Sequence, residues 1–157
     1  MKKLFKVLAL ALLVAIAAPV AKAERVETPV DKMPAQVTRF LNDYYPGVQV
    51  ASSWAKMMRP TTEPMWWRVN LADGTKLQFS LDGNWNMVNA KKSNTPVSID
   101  LLPNDARKVI SEQYPNETIK VVKFKKDSYK ITLSNGQKLQ FTKDYGLKVK
   151  KNKKQNS

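Results

Sequence analysis

Cysteine and histidine are both missing from the 157 residues, and several classes of function go with them. Without cysteine there is no disulfide. Small secreted domains often need disulfides, because a short chain buries little apolar surface, so this chain must hold together by packing alone. The usual nucleophile–base pairs of hydrolases cannot be built without His or Cys, and a Ser-Lys dyad has no supporting motif. Zinc and copper sites lose their common ligands. Acidic residues are scarce as well, 13 against 27 Lys and Arg. Paired carboxylates could serve a glycosidase, but Asp73 and Asp82 stand in Asp-Gly turns and Asp127 stands in a short hairpin, so turn formation accounts for them. Asp82-Gly83-Asn84 has too few acids around it for a calcium loop. The expectation is a protein that is not an enzyme and carries no cofactor or metal.

What is present begins with an address. Lys2, Lys3 and Lys6 precede an apolar run from Leu8 to Ala18, and Ala21-Lys22-Ala23 is a small-x-small cleavage site. Residues 1–23 thus read as a secretory signal peptide cleaved near Ala23, too short in its apolar part for a retained membrane helix. A stable N-terminal anchor is the alternative. No Cys follows the run, so a lipid anchor on cysteine is excluded. The mature chain is expected in the periplasm or outside the cell, without a stable membrane span.

Loss of the four lysines in residues 1–23 lowers the net charge from +14 to +10. Lys148, Lys150, Lys151, Lys153 and Lys154 crowd the end of the chain. Such a basic end either is a solvated tail or attracts an anionic surface, lipid or glycan. Nucleic acid is not expected as the partner of a secreted protein.

The rest of the chain is one pattern written twice. Residues 67–82 read WRVNLADGTKLQFSLD and residues 129–144 read YKITLSNGQKLQFTKD, a constant shift of 62. Upstream, Met33-Pro34 to Tyr45-Pro46 matches Leu102-Pro103 to Tyr114-Pro115 at a shift of 69. In the first upstream segment Val37, Phe40, Leu41 and Tyr44 fall on one helical face. Pro34 opens this helix and Pro46-Gly47 closes it. In the second, Ala106, Val109, Ile110 and Gln113 keep helical spacing after Pro103.

Strands follow each helix. Val48, Val50, Ser52 and Trp54 alternate, which predicts that these four share a half-buried face. The counterpart strand over Thr118–Lys125 holds Val121-Val122, whose adjacency predicts a bulge. Asp73-Gly74 and Asn135-Gly136 between alternating runs predict tight hairpins. A further turn is expected at Asp82-Gly83-Asn84, and its counterpart at Asp144-Tyr145-Gly146. Trp67, Val69, Leu71, Leu77, Phe79, Leu81, Trp85 and Met87 are expected to face the helix, with Arg68, Asn70, Lys76, Gln78, Ser80 and Asn86 on the free side.

The fold class is therefore α+β, two tandem repeats, each a short helix packed on a four-stranded antiparallel meander. The divisions are a leader at 24–32, a first repeat at 33–89, a linker at 90–101, a second repeat at 102–150 and a basic tail at 151–157. Whether the two sheets join edge to edge or form separate lobes is open.

The order Pro34, helix, Tyr45-Pro46-Gly47, then Asp73-Gly74 with Leu77 and Phe79, then Asp82-Gly83-Asn84-Trp85, resembles the PepSY-like family of secreted bacterial proteins, which shares its fold with β-lactamase inhibitory protein. Pro103, Tyr114-Pro115, Asn135-Gly136, Leu139, Phe141 and Asp144 carry the resemblance in the second copy. It departs at Asn116, where the first copy has Gly, and at Leu147, where the first copy has Trp. The resemblance implies a non-catalytic periplasmic protein that binds or inhibits another protein through its open sheet face.

Function should lie where the copies differ. The first copy has seven extra residues between Trp54 and Trp67, within Met57-Met58-Arg59-Pro60-Thr61-Thr62-Glu63-Pro64-Met65. Long hairpins in compact domains are often functional. Trp66 and Trp67 are adjacent, so on a strand they face opposite sides. Trp67 aligns with Tyr129 in the core, which sends Trp66 outward beside Arg68, unless the hairpin or the other repeat covers it. Trp and Arg dominate interface hot spots, and methionines add adaptable contact. The candidate protein-binding residues are Trp66, Arg68, Met57, Met58, Arg59, Met65, Lys76 and Gln78, for an unidentified periplasmic or extracellular protein. The alternative is an anionic envelope surface bound through Lys130, Lys138 and the lysines of the chain end.

Overall fold

The computed structural model describes residues 24–142 and the backbone of 147–149. Residues 1–23, expected to be a signal peptide, the turn expected at Asp144–Gly146 and the lysines beyond Val149 lie outside the described residues. Helix α1 spans Ala35–Tyr44 and is followed by strands β2 (Val50–Met57), β3 (Pro64–Leu71), β4 (Lys76–Ser80) and β5 (Trp85–Asn89). Helix α2 spans Asn104–Gln113 and is followed by β6 (Ile119–Lys125), β7 (Ser128–Leu133), β8 (Lys138–Thr142) and β9 (Leu147–Val149). A short strand β1 (Arg25–Glu27) comes first. No helix among the described residues is long and apolar enough to cross a membrane.

The strands form one antiparallel sheet in chain order, β1 to β9. Its two halves meet edge to edge where β5 pairs with β6, with Val88 opposite Val122. Both helices pack on the same face, and one core runs under both. Val37 and Phe40 of α1 and Ala106 and Ile110 of α2 join Val69, Leu77, Phe79, Val122, Ile131 and Leu139 of the sheet. Phe79 is fully buried, and the ring of Phe40 meets it edge to face at 5.3 Å between centroids. Such pairs add about 0.5–1.5 kcal/mol beyond area burial.

Each helix starts after a proline, Pro34 or Pro103, and ends with a backbone N–H of tyrosine closing the last turn, Tyr45 onto Leu41 and Tyr114 onto Ile110. The Asp-Gly and Asn-Gly hairpins are built alike. Asp73 Oδ1 accepts from the Thr75 N–H at 2.8 Å, and Asn135 Oδ1 accepts from the Gln137 N–H at 2.9 Å. Gly74 and Gly136 both hold positive φ, at 93° and 85°.

Four sequence expectations change. In β2 the buried residues are Ser53 and Ala55, while Trp54 points to the opposite face and Val50 is exposed. A register irregularity between Val50 and Ser52 shifts the alternation there, and only Val48 of the expected set packs against the core. Leu81, expected in the core, lies past the end of β4 and is 50% exposed; its carbonyl accepts the Trp67 indole N–H at 3.1 Å. Met87 lies opposite Gln78 and Lys123 on the outer face, and Val88 takes the core position, because the ladder slips between Gln78 and Phe79. The leader, which shows no periodicity, supplies β1, whose Arg25, Val26 and Glu27 pair with Lys56, Ala55 and Trp54. The bulge expected near Val121 is present, between Ile119 and Val121.

The joining residues 90–101 are packed, with Ala90, Ser93, Val97 and Leu101 buried and the Ala90 and Val97 N–H groups donating to Lys120 and Ile119 carbonyls. A Cβ built on Gly74 would stand 2.7 Å from the Lys92 carbonyl oxygen of this segment, whereas one on Gly136 meets nothing within 4 Å. Both positions carry the positive-φ penalty, but only Gly74 adds a backbone clash. In urea unfolding, Gly136→Ala should cost about 1–2 kcal/mol and Gly74→Ala roughly 2–4 kcal/mol. Equal losses would contradict the close approach.

Tyr45 is buried at the end of α1, and burial, with the Asp73 carboxylate second, pushes its phenol from 10.0 up to about 12. The native state keeps a proton that the unfolded chain releases, so stability falls as pH rises from about 10 to 12. The fall amounts to about 2–3 kcal/mol. Tyr45→Phe should flatten that part of the pH–stability curve relative to the parent, measured by denaturant midpoints.

Candidate functional site

The helices cover one face of the sheet, and among the described residues no layer covers the other. On that outer face the first half carries an aromatic and cationic cluster that draws on three neighbouring strands. Trp54 of β2 and Trp66 of β3 pack with ring centroids 5.1 Å apart. The Arg25 guanidinium, on β1, lies 4.5 Å from the Trp54 ring centre. Arg68 of β3 lies 5.6 Å from Trp54 and 5.3 Å from Trp66, and Lys56 Nζ lies 5.6 Å from Trp66. Each cation over an indole contributes about 0.5–1 kcal/mol where water reaches it.

The strand registers explain the grouping. Arg25 stands opposite Lys56, Trp54 opposite Arg68, Lys56 opposite Trp66 and Arg68 opposite Gln78. The Ser53 and Ala55 side chains of β2 point to the core, so Trp54 and Lys56 must point away from it. Arg68 Nη2 donates to Gln78 Oε1 at 2.9 Å, which fixes the plane of the guanidinium. Burial lowers the Arg68 pKa, and the nearby Arg25 charge lowers it further. A groove of about 310 Å³ opens here, lined by Arg25, Trp54, Lys56, Trp66, Arg68, Asn70 and Lys76. Its walls hold four cations and no acid.

The named candidates divide among several places. Trp66, Arg68, Lys76 and Gln78 come together on the outer face of β3 and β4. Met58 and Met65 are exposed, at 46% and 42%, beside the hairpin that joins β2 to β3. Met57 packs against the core instead. With Glu24, Val26, Arg59, Pro60, Thr61 and Thr62 it lines a separate, more apolar groove of about 760 Å³. Arg59 is paired there with Glu24 at 2.9 Å. Lys130 and Lys138 lie on the outer face of the second half and line a shallow depression of about 250 Å³. Lys148 belongs to β9, whose backbone pairs with β8. Lys150, Lys151, Lys153 and Lys154 lie outside the described residues.

Trp54, Arg25 and Lys56 escape a sequence reading. The alternation that begins at Val48 assigns Trp54 to the core, and nothing local marks residues 25–27 as a strand. The small residues Ser53 and Ala55 flanking Trp54 are the available signal, since they suit a close approach to the helix layer.

Among the described residues no group of three or more His, Cys, Asp or Glu stands together as a metal site. The side chains that line the groove are cations, indoles and one amide, chemistry suited to holding an anionic or aromatic group.

Solved structures from Bacteroides species have the same fold. A "putative periplasmic protein from DUF2874 family" of Bacteroides vulgatus is 23% identical, with a TM-score of 0.72, over 82% of this chain and 97% of that one. A "putative calcium-regulated periplasmic protein" of Bacteroides thetaiotaomicron is 23% identical, with a TM-score of 0.71, over 79% of this chain and 94% of that one. No curated protein matches the chain. The family model described as "Putative beta-lactamase-inhibitor-like, PepSY-like" matches residues 66–149, from the outward Trp66 through the last strand. The α+β sheet with its two helices and this match over more than half of the sequence together establish that the chain belongs to the PepSY-like, beta-lactamase-inhibitor-like family.

Proposed function

We propose that this chain is a non-catalytic periplasmic protein-binding or inhibitory module acting through the exposed sheet face and the long first hairpin. The observation that carries the reading is the Trp54–Trp66 pair with Arg25, Arg68 and Lys56 over its rings, on the face that no helix covers. Burying two large aromatics at the centre of a contact, with arginines beside them, is how most interface energy is concentrated. Met58 and Met65 extend the apolar area with side chains that adapt their shape. Absence of His and Cys agrees with a non-catalytic role. The basic start, apolar run and Ala21-Lys22-Ala23 of the sequence, with the periplasmic names of similar structures, support export and cleavage near Ala23. Calcium regulation stays with the Bacteroides protein that bears it in its name.

The shifts of 62 and 69 in the sequence, with a helix and four strands in each half, support an origin as two tandem repeats. In this reading the second repeat preserves the scaffold and the first is specialised. Ser128 and Lys130 stand where the first repeat has Trp66 and Arg68.

A second reading, attachment to an anionic envelope lipid or glycan, is favoured by one observation. Lys123 and Lys130 stand directly opposite each other across β6 and β7, with Lys138 and Lys125 on the same face. Like charges so opposed repel, and an anionic surface relieves them.

Affinity capture from a native periplasmic extract separates the readings. With Trp66→Ala and Met58→Ala combined, the partner protein retained by the parent should be lost while the circular dichroism spectrum is unchanged. Retention of the same protein by this variant would sink the first reading. Binding that vanishes steeply with salt and on deletion of residues 148–157 would favour the second.

A further inference from the structure

We propose that the groove formed by Arg25, Trp54, Arg68, Trp66 and Lys76 is a carboxylate-binding site, and that it seats an aspartate or glutamate side chain of an acidic segment on a partner protein. The inference rests on the protein-binding reading above and adds the chemistry of what is bound.

Charge is the first argument. Glu27 is the one acidic residue in the described strands, and it is not among the residues lining the groove. The lining has two guanidiniums and two ammonium groups, and no ion pair among the described residues involves any of them. The Arg59–Glu24 and Arg107–Asp100 ion pairs lie elsewhere. Arg25 and Arg68 are close enough that the charge of one disfavours the charge of the other. An anion seated between them turns that repulsion into two attractions.

Geometry is the second. A guanidinium stacked on an indole spends its face and keeps its in-plane N–H groups, the fork that fits both oxygens of a carboxylate. Arg25 lies over Trp54 and Arg68 lies between Trp54 and Trp66, and Gln78 orients Arg68 through Nη2, with no acid on the remaining N–H groups of either among the described residues. The indole faces already have cations over them, which leaves them poor platforms for stacking a sugar ring. At about 310 Å³ the groove sits at the small end of ligand pockets, room for a side chain or two but not for a saccharide chain. The second half has lysine at the position of Arg68, a point charge without the fork, so the site is confined to the first half.

The test uses the full chain and three probes: a capped tetraglutamate peptide, inorganic phosphate, and phosphatidylglycerol vesicles. Indole N–H signals of Trp54 and Trp66 report binding in two-dimensional NMR. The peptide should shift both signals saturably, and a tetraglutamine peptide should shift neither. Arg68→Gln should weaken the peptide about tenfold or more, as expected for a hydrogen-bonded charge pair. Arg68→Lys, which keeps the charge but loses the fork, should also weaken it, and Lys108→Gln, exposed on α2, should leave it unchanged. Arg25→Gln, on the edge strand, gives the same reading should Arg68 variants fail to fold. Peptide binding indifferent to Arg25→Gln and Arg68→Gln overturns the proposal. So does a site that takes phosphate or vesicles and refuses the peptide. If Trp66→Ala abolishes partner capture while Arg25→Gln and Arg68→Gln leave it intact, the carboxylate site falls and the protein-binding reading stands. If the peptide binds with the expected losses but Trp66→Ala does not alter capture, the reading falls and the site stands.

Discussion

The pairing of β5 with β6, Val88 against Val122 with both side chains fully buried, is the contact on which the molecule depends. Each half alone is a ten-residue helix on a few strands. Helices of that length are marginal in water, and a small sheet with one helix buries little. Joining the halves edge to edge makes one long sheet with both helices on one face, so that Phe40, Phe79, Val122 and Ile131 share a single core. With no disulfide to close the chain, that shared core carries its stability.

Among the described residues the same pairing leaves the other face of the sheet without a layer, and the consequences differ between the halves. In the second half the open face is a field of lysines separated by Thr and Gln, which water satisfies easily. In the first half it carries two tryptophans and two arginines that hold one another. An indole exposed alone would be costly; with guanidiniums over the rings, the apolar surface is partly covered while the charged edges remain open. A scaffold made of two like halves thereby acquires one distinct spot. The short strand β1 completes it, since Arg25 reaches Trp54 only because residues 25–27 add to the sheet edge.

Much of this is legible in the sequence. Pro34 and Pro103, Asp73-Gly74 and Asn135-Gly136 act within a few residues of themselves, through a fixed φ, a missing N–H or a tolerated positive φ, and the helices and hairpins fall where these predict. Period-two geometry puts Trp66 and Trp67 on opposite faces, and the alignment of Trp67 with Tyr129 points Trp66 outward. The errors cluster at ladder irregularities. Simple alternation places Trp54 and Met87 on the wrong face because one-residue slips near Val50–Ser52 and Gln78–Phe79 invert it downstream of them. Such slips depend on which partner strand is accommodated, and that information is not local.

The sequence by itself determined the helices, the turns, the doubling of the pattern and the exclusion of His- and Cys-based chemistry, because each follows from a residue's own stereochemistry or its absence. Only the tertiary structure decided that the halves share one sheet, that the leader becomes an edge strand, and that Arg25, Trp54, Arg68 and Trp66 meet. Those residues are up to 43 positions apart in the chain. They are brought together by cross-strand register, a property of pairs of strands that no single strand encodes.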